Sequence, residues 1–131
     1  MRLAQIWRYP IKSHGSENLK SIDIYSGKTL PLDRNWAVVH DQSDADGSSW
    51  VPCRNFSRVA KAPQLAAIST TWTSDKKLEL RHPSIGRICI DPDFESSKFI
   101  DWVSHLMPEG RAASVKLVRS VQTGMTDTDF P

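Results

Sequence analysis

Apolar and polar residues alternate in short runs along this chain, and turn-forming residues separate the runs. Alternation of this kind is typical of a strand that buries one face. The strands that the pattern predicts cover residues 3–11, 22–25, 36–40, 66–72, 77–81, 87–91 and 114–121. Two of them, 66–72 and 77–81, are separated by four turn-forming residues, which predicts a hairpin.

Proline, glycine and small polar residues mark the connections between these strands. Pro10 limits the first strand, because proline has no N–H group to donate to a neighbouring strand. Residues 12–18 are mostly short and include a glycine, which predicts an exposed loop whose backbone could approach a ligand. Residues 44–47 and 83–86 each end in a glycine and are predicted turns.

One late segment has the period of a helix. Its apolar residues are spaced at i, i+1, i+4, i+7 and i+8, and they are Phe99, Ile100, Val103, Leu106 and Met107. This spacing predicts an amphipathic helix over residues 97–107, with Ser96 or Ser97 as its N-cap. The chain is therefore expected to be mainly β with one late helix, and the periodicity leaves open whether the strands form a barrel or a sandwich.

Length and composition indicate one soluble globular domain. The chain has 131 residues, 39% of them hydrophobic and 24% charged, and its formal net charge is +2. This balance does not force nucleic acid or an anionic membrane as a partner. The N-terminus has no apolar run typical of a signal peptide, so we expect a cytoplasmic protein with Cys53 and Cys89 reduced.

Two short segments carry groups that suit an anion. Lys12 and Ser13 offer a cation and a hydroxyl side by side, and Arg34 offers a guanidinium just before a predicted buried strand. Three such donors converging on one point would hold a phosphate monoester. A plainer interpretation makes Lys12 a solvated surface lysine and pairs Arg34 with Asp33 or Asp41. Spacing alone favours this plainer interpretation.

A family resemblance changes this balance. The motif Tyr9-Pro10-Ile11-Lys12-Ser13 with Gly15 and Leu19 after it, followed by Leu32-Asp33-Arg34-Asn35-Trp36, resembles the opening of MOSC N-terminal domains. Arg54, Leu65-Ala66-Ala67-Ile68 and the segment 101–106 resemble later parts of that domain. The resemblance implies a β-barrel-like MOSC N-terminal domain over residues 1–123, and a loose tail over 124–131 that leads to a C-terminal MOSC domain.

The resemblance also implies a function. MOSC proteins of this kind bind the pterin form of molybdenum cofactor, and the positions that match their cofactor contacts are Lys12, Ser13 and Arg34. Their metal-ligating cysteine lies in the C-terminal MOSC domain, so neither Cys53 nor Cys89 matches it. We therefore expect no catalytic residue and no metal ligand in this chain, and little or no molybdopterin bound to it alone.

A complete protein would carry out reductase or sulfur-transfer chemistry at molybdenum, with the MOSC domain supplied in cis or in trans. His14 departs from the family pattern, in which a hydrophobic residue and an arginine often stand before or at the glycine. This departure lowers the anion affinity that we expect of the loop.

Other residues are weaker candidates for a functional site. Cys53 beside Arg54 could be a reactive thiol, although cysteine is more often a small packing residue. The four histidines lack metal-ligand spacing, and no bidentate glutamate completes a calcium loop around residues 41–47. The five tryptophans are expected to pack in the core and at the ends of the barrel.

A second hypothesis is a non-catalytic β-barrel module that presents basic loops to a protein or to single-stranded nucleic acid. The even charge balance ranks it second and argues against nucleic acid.

Overall fold

The part of the chain that the structure describes folds into seven short strands and one helix. A computed structural model describes residues 4–49, 51–110 and 113–120. The strands are β1 Ile6–Arg8, β2 Glu17–Leu19, β3 Trp36–His40, β4 Ser69–Trp72, β5 Leu78–His82, β6 Gly86–Ile90 and β7 Ser114–Arg119. Helix α1 spans Ser96–Val103 and continues as a 3-10 turn over Ser104–Leu106, and further 3-10 turns cover Cys53–Asn55 and Pro63–Ala67.

The strands form three small antiparallel sheets, which are β1-β2, β3-β7 and β4-β5-β6. Single bridges join them, because Ile11 pairs with Trp36 of β3 and Ser16 pairs with Ser69 of β4. Helix α1 packs against β6 and β7, the strands at the two ends of this series. The described strands are thus not closed into a barrel by hydrogen bonds, and the helix covers the remaining gap. The predicted mainly β class with one late helix is confirmed.

The core lies between the helix and the sheets. Buried apolar side chains come from helix α1, from the sheets β3-β7 and β4-β5-β6 and from the segments between strands, and they include Ile11, Val38, Leu65, Leu78, Leu80, Ile90, Phe99, Val103 and Leu106. The predicted helical face is confirmed, since Phe99, Val103 and Leu106 are its buried residues. The predicted N-cap is wrong, because Glu95 holds that position without a side-chain cap. The Ser96 hydroxyl instead accepts the N–H of Leu117 at 2.9 Å, which ties α1 to β7.

The strands predicted at 36–40, 87–91 and 114–121 and the hairpin of β4 and β5 are confirmed. The first strand is shorter than predicted among the described residues, because β1 ends before Pro10. The start of the predicted strand at 66–72 is a 3-10 turn that begins at Pro63. The alternation at 22–25 does not form a strand, and Ile24 and Tyr25 are 73% and 58% exposed. Alternation without a partner strand leaves the backbone unpaired, so it is not sufficient for a strand.

The loop predicted at 12–18 is not exposed. Lys12, His14, Gly15 and Glu17 are all buried, and the segment continues directly into β2. Gly15 explains the close packing, because a Cβ atom at this position would lie 2.7 Å from Cγ2 of Ile68. Among the described residues, no helix is long and apolar enough to cross a membrane. The predicted tail at 124–131 lies outside the described residues.

Candidate cofactor-binding site

The two motifs lie side by side. The N–H of Arg34 donates to the carbonyl of Tyr9 at 2.6 Å, and the N–H of Trp36 donates to the carbonyl of Pro10 at 3.2 Å. The N–H of Lys12 then donates back to the carbonyl of Trp36 at 2.8 Å. These bonds form a short parallel pairing between segments that are far apart in the chain. The structure therefore brings together the segments that carry the three predicted cofactor contacts.

The backbone of this junction is held in an unusual conformation. Ser13, Leu32 and Arg34 have φ angles of 62°, 61° and 51°, in the left-handed region that residues with a Cβ atom seldom adopt. Such a residue costs on the order of 1–3 kcal/mol and persists where the surroundings hold it. Two of the three are predicted contact residues, and strained backbone of this kind concentrates at ligand-binding sites.

The side chain of Lys12 is completely buried. The interpretation of Lys12 as a solvated surface lysine is therefore wrong. The carbonyl oxygen of Lys12 accepts a hydrogen bond from Nδ1 of His14 at 2.7 Å, which holds the turn between the two residues. A lysine is seldom buried in this way without a specific role, because removing its ammonium group from water is costly.

The guanidinium of Arg34 has two neighbours in the motifs. Its Nη1 lies 2.6 Å from Oδ2 of Asp33, and its Cζ lies 4.8 Å from the centre of the Tyr9 ring. The other oxygen of Asp33 accepts the N–H of Tyr9 at 2.8 Å. The pairing with Asp33 that the plainer interpretation predicted is thus present. Because the Arg34 side chain is 26% exposed, a ligand could still reach it.

His14 lies in the core, which its place in the predicted exposed loop did not indicate. Its ring contacts the edge of Phe99 on helix α1, with 5.7 Å between the ring centres. Burial lowers the pKa of His14 to about 4, although its hydrogen bond to Lys12 opposes the shift. His14 is therefore neutral near pH 7 and adds no positive charge to the site.

A buried ion pair lies behind the junction, and sequence reasoning missed it. Arg8 of β1 and Glu17 of β2 face each other across the strand pair, with Nη2 of Arg8 2.8 Å from Oε2 of Glu17. The second terminal nitrogen of Arg8 donates to the carbonyl of Pro31 at 3.0 Å, just before the second motif. The alternation of β1 placed Arg8 among polar positions, so only the strand register could have revealed this pair.

A pocket of about 430 Å³ adjoins the second motif. Leu32, Trp36 and Trp72 form its apolar wall, and the rings of the two tryptophans are 5.6 Å apart. Asp93 braces this wall by accepting from Nε1 of Trp36 and pairing with Arg119 at 2.8 Å. The two rings are tilted by 45° to each other, and the carboxylates Asp91 and Asp93 also line the pocket.

The two cysteines and a possible metal site were the other candidates from the sequence. Cys53 and Cys89 are not joined in a disulfide, and Nη1 of Arg58, rather than the adjacent Arg54, donates to the buried Cys53 sulfur at 3.2 Å. Within residues 4–49, 51–110 and 113–120 the structure shows no group of three or more residues that could hold a metal ion.

The tryptophans do not all follow the packing prediction. Trp36 is buried, but Trp7 of β1 is 46% exposed and its indole nitrogen donates to Gln5. Trp50 lies outside the described residues.

Comparison with known families explains why the two motifs occur together. The family model of the MOSC N-terminal beta barrel domain matches residues 1–114. The chain belongs to this family. The match includes both motifs, with Lys12, Ser13 and Arg34, and also helix α1. It therefore covers most of the chain. No curated protein and no solved structure shows a significant match.

Proposed function

We propose that this MOSC N-terminal domain contributes to a binding site for molybdenum cofactor at the junction of its two motifs. Lys12, Ser13 and Arg34 would contact the phosphate-bearing pterin. A C-terminal MOSC domain, in cis or in trans, would supply the metal ligand and the face that meets substrate. When bound, the cofactor would provide reductase or sulfur-transfer chemistry at molybdenum.

The observation that carries this proposal is the pairing of the two motifs. Hydrogen bonds from Arg34 to Tyr9 and from Lys12 to Trp36 hold the predicted contact residues on adjacent backbone segments. A hydroxyl, an ammonium and a guanidinium form a donor set that suits a phosphate group. The membership of the family supports the assignment of that phosphate to a pterin cofactor.

The three residues would contribute differently. Ser13 and Arg34 are partly exposed, so they can meet a ligand without a large rearrangement. Because Arg34 already pairs with Asp33, an anion would have to share the guanidinium with that carboxylate. Lys12 is completely buried, so it would meet the cofactor only after a local rearrangement that uncovers its ammonium group.

The test is to produce the chain together with a MOSC domain of the family in cells that make molybdopterin. Pterin content is then measured by fluorescence after oxidative release. The informative variant is Ser13→Gly with Arg34→Asn, because glycine and asparagine both tolerate the left-handed backbone of these positions. Arg81→Asn, which removes an exposed arginine on β5, is the matched control.

We expect the double variant to retain at most about one tenth of the pterin that the control retains. This corresponds to a loss of about 1.4 kcal/mol in binding free energy. Both proteins should unfold at the same urea concentration. Equal pterin content in the double variant and the control would show that this junction does not hold the cofactor. The chain without a MOSC domain is expected to show no turnover.

A further inference from the structure

A second concave site lies at the opposite end of strand β3. Trp36 at the start of β3 belongs to the motif junction, whereas His40 at its end lines a pocket of about 440 Å³. Four residue steps along a strand span about 13 Å, so the two sites are well separated. The basic residues of this pocket are Arg54, Arg58 and Lys61, which come from one short segment that begins within the Cys53–Asn55 turn.

The charge of this pocket sets it apart from the rest of the described surface. Among the described residues that line it, there is no aspartate or glutamate. Elsewhere in residues 4–49, 51–110 and 113–120, arginines lie within 4 Å of carboxylates, and these are Arg8, Arg34, Arg81, Arg87 and Arg119. Within the same described ranges, Arg54 and Arg58 are the arginines without such a partner, and both line this pocket.

The backbone that carries these cations is firmly anchored. Nε2 of His40 donates to the carbonyl of Arg54 at 2.6 Å, and this tautomer leaves Nδ1 to accept the N–H of Gln42. The N–H of Ser57 donates to the carbonyl of Val38 at 2.8 Å, and the buried Phe56 bridges to β3. The cations therefore project from a segment whose position is set before any ligand arrives, which lowers the entropic cost of binding.

We propose that this pocket is a second anion site, which binds a small phosphate-bearing ligand through Arg54, Arg58 and Lys61. Two guanidinium groups and an ammonium match the charge of a phosphate monoester dianion, and guanidinium donates to phosphate oxygens in a bidentate manner. The volume is within the usual range for a site that holds a small molecule. Phe56 is the only Phe, Trp or Tyr among the described residues that line the pocket, and it is buried, so it offers little surface on which the bases of single-stranded nucleic acid could stack.

The test uses the 131-residue chain alone, with inorganic phosphate as the probe. Phosphate is titrated at constant ionic strength while amide signals are followed by NMR. The variant Arg54→Gln with Lys61→Gln removes two cations and keeps Arg58, which contacts Cys53. The control Arg87→Gln with Lys28→Gln removes one arginine and one lysine from exposed positions outside the pocket, so both variants lose the same net charge.

We expect saturable binding with a dissociation constant of about 1 mM or tighter, with shifts centred on residues 54–61. The pocket variant should bind at least about tenfold more weakly, and the control should bind within about twofold of the unchanged chain. Equal weakening in both variants, or no saturation, would overturn the proposal. Binding of an oligothymidylate with steep salt dependence but no binding of phosphate would also overturn it, in favour of a nucleic-acid surface.

The changes in amide chemical shift in the unchanged chain locate the site without any substitution. This result therefore does not depend on whether a variant folds correctly. The result is independent of the cofactor proposal, since neither a MOSC domain nor molybdopterin is present in this experiment.

Discussion

The N–H of Lys12 donates to the carbonyl of Trp36 at 2.8 Å, and this bond joins the end of the first motif to the start of β3. The same contact places the Lys12 side chain inside the protein, where it is completely buried. A residue that suits a phosphate ligand by its chemistry is thus also part of the core. Its burial makes the site dependent on packing around the junction.

Lys12 should react more slowly with an amine-acetylating reagent than the exposed Lys20 and Lys28. The reason is that the reagent must wait for a local opening before it reaches a buried amine. Acetylation is followed by mass spectrometry of proteolytic peptides over a time course. A rate for Lys12 equal to that of Lys20 would contradict the burial seen here.

Replacing Glu17 alone should be more damaging than replacing the whole ion pair. Glu17→Ala leaves Arg8 buried without its carboxylate, which we expect to lower the free energy of unfolding by about 3–5 kcal/mol. Arg8→Met with Glu17→Leu removes both charges and fills the space, so it should cost less than Glu17→Ala. Urea unfolding of these two variants and of the single variants Arg8→Met and Glu17→Leu completes the cycle. The idea fails if Glu17→Ala is the milder change.

The stability of the fold should fall as the pH is lowered below 6.5, because of His14. In the unfolded chain His14 has its ordinary pKa of 6.5, whereas in the fold burial lowers it to about 4. Between these values the unfolded state binds a proton that the native state does not, so stability rises with pH. The contribution is complete above pH 6.5 and is lost progressively down to about pH 4. From about pH 7.5 to about pH 5 the loss is about 2 kcal/mol.

Urea unfolding of the unchanged chain and of His14→Gln at both pH values measures this contribution. The substituted chain is expected to be less stable at neutral pH but to lose about 2 kcal/mol less on acidification. His105→Gln, at an exposed position, is the control and should keep the full pH dependence. Identical pH dependence in His14→Gln and His105→Gln would assign the effect to other groups.

Gly47 should tolerate alanine far less well than Gly27. Both have positive φ angles, +87° and +71°, so alanine is strained at either position by about 1–2 kcal/mol. A Cβ atom at Gly47 would also collide with the backbone carbonyl of Arg119 on β7, whereas nothing lies within 4 Å at Gly27. We expect Gly47→Ala to cost at least about 2 kcal/mol more than Gly27→Ala, as overpacking against a rigid strand does. Thermal unfolding of the two variants decides this, and equal midpoints would rule out the close approach.

Local pattern was enough to predict much of the fold. Alternation of apolar side chains located β5, β6 and β7, the β-branched and aromatic run at 36–40 located β3, and the helical spacing of Phe99, Val103 and Leu106 located α1. These features depend on residues a few positions apart, so they can be seen in the chain without its partners. The same reasoning predicted a strand at 22–25, where no neighbouring strand was available to pair with it.

The candidate site was predictable in part. The motifs that resemble the MOSC family named Lys12, Ser13 and Arg34, and the family match includes all three. That the motifs touch, that Lys12 is buried and that Glu17 meets Arg8 could not be predicted, because each depends on pairing between distant segments. Tyr9 and Asp33, for example, are 24 positions apart and meet at 2.8 Å.

The basic pocket shows most clearly which features the sequence reveals and which depend on tertiary structure. The residues of 54–61 display their charges in the sequence, but only the fold brings a cation such as Arg119 near the carboxylate of Asp93. Local order along the chain therefore determines the elements and the chemistry they carry. Tertiary packing decides which charges are offset, which are buried and which stay open to a ligand, because electrostatic interactions depend on distance in space rather than along the chain.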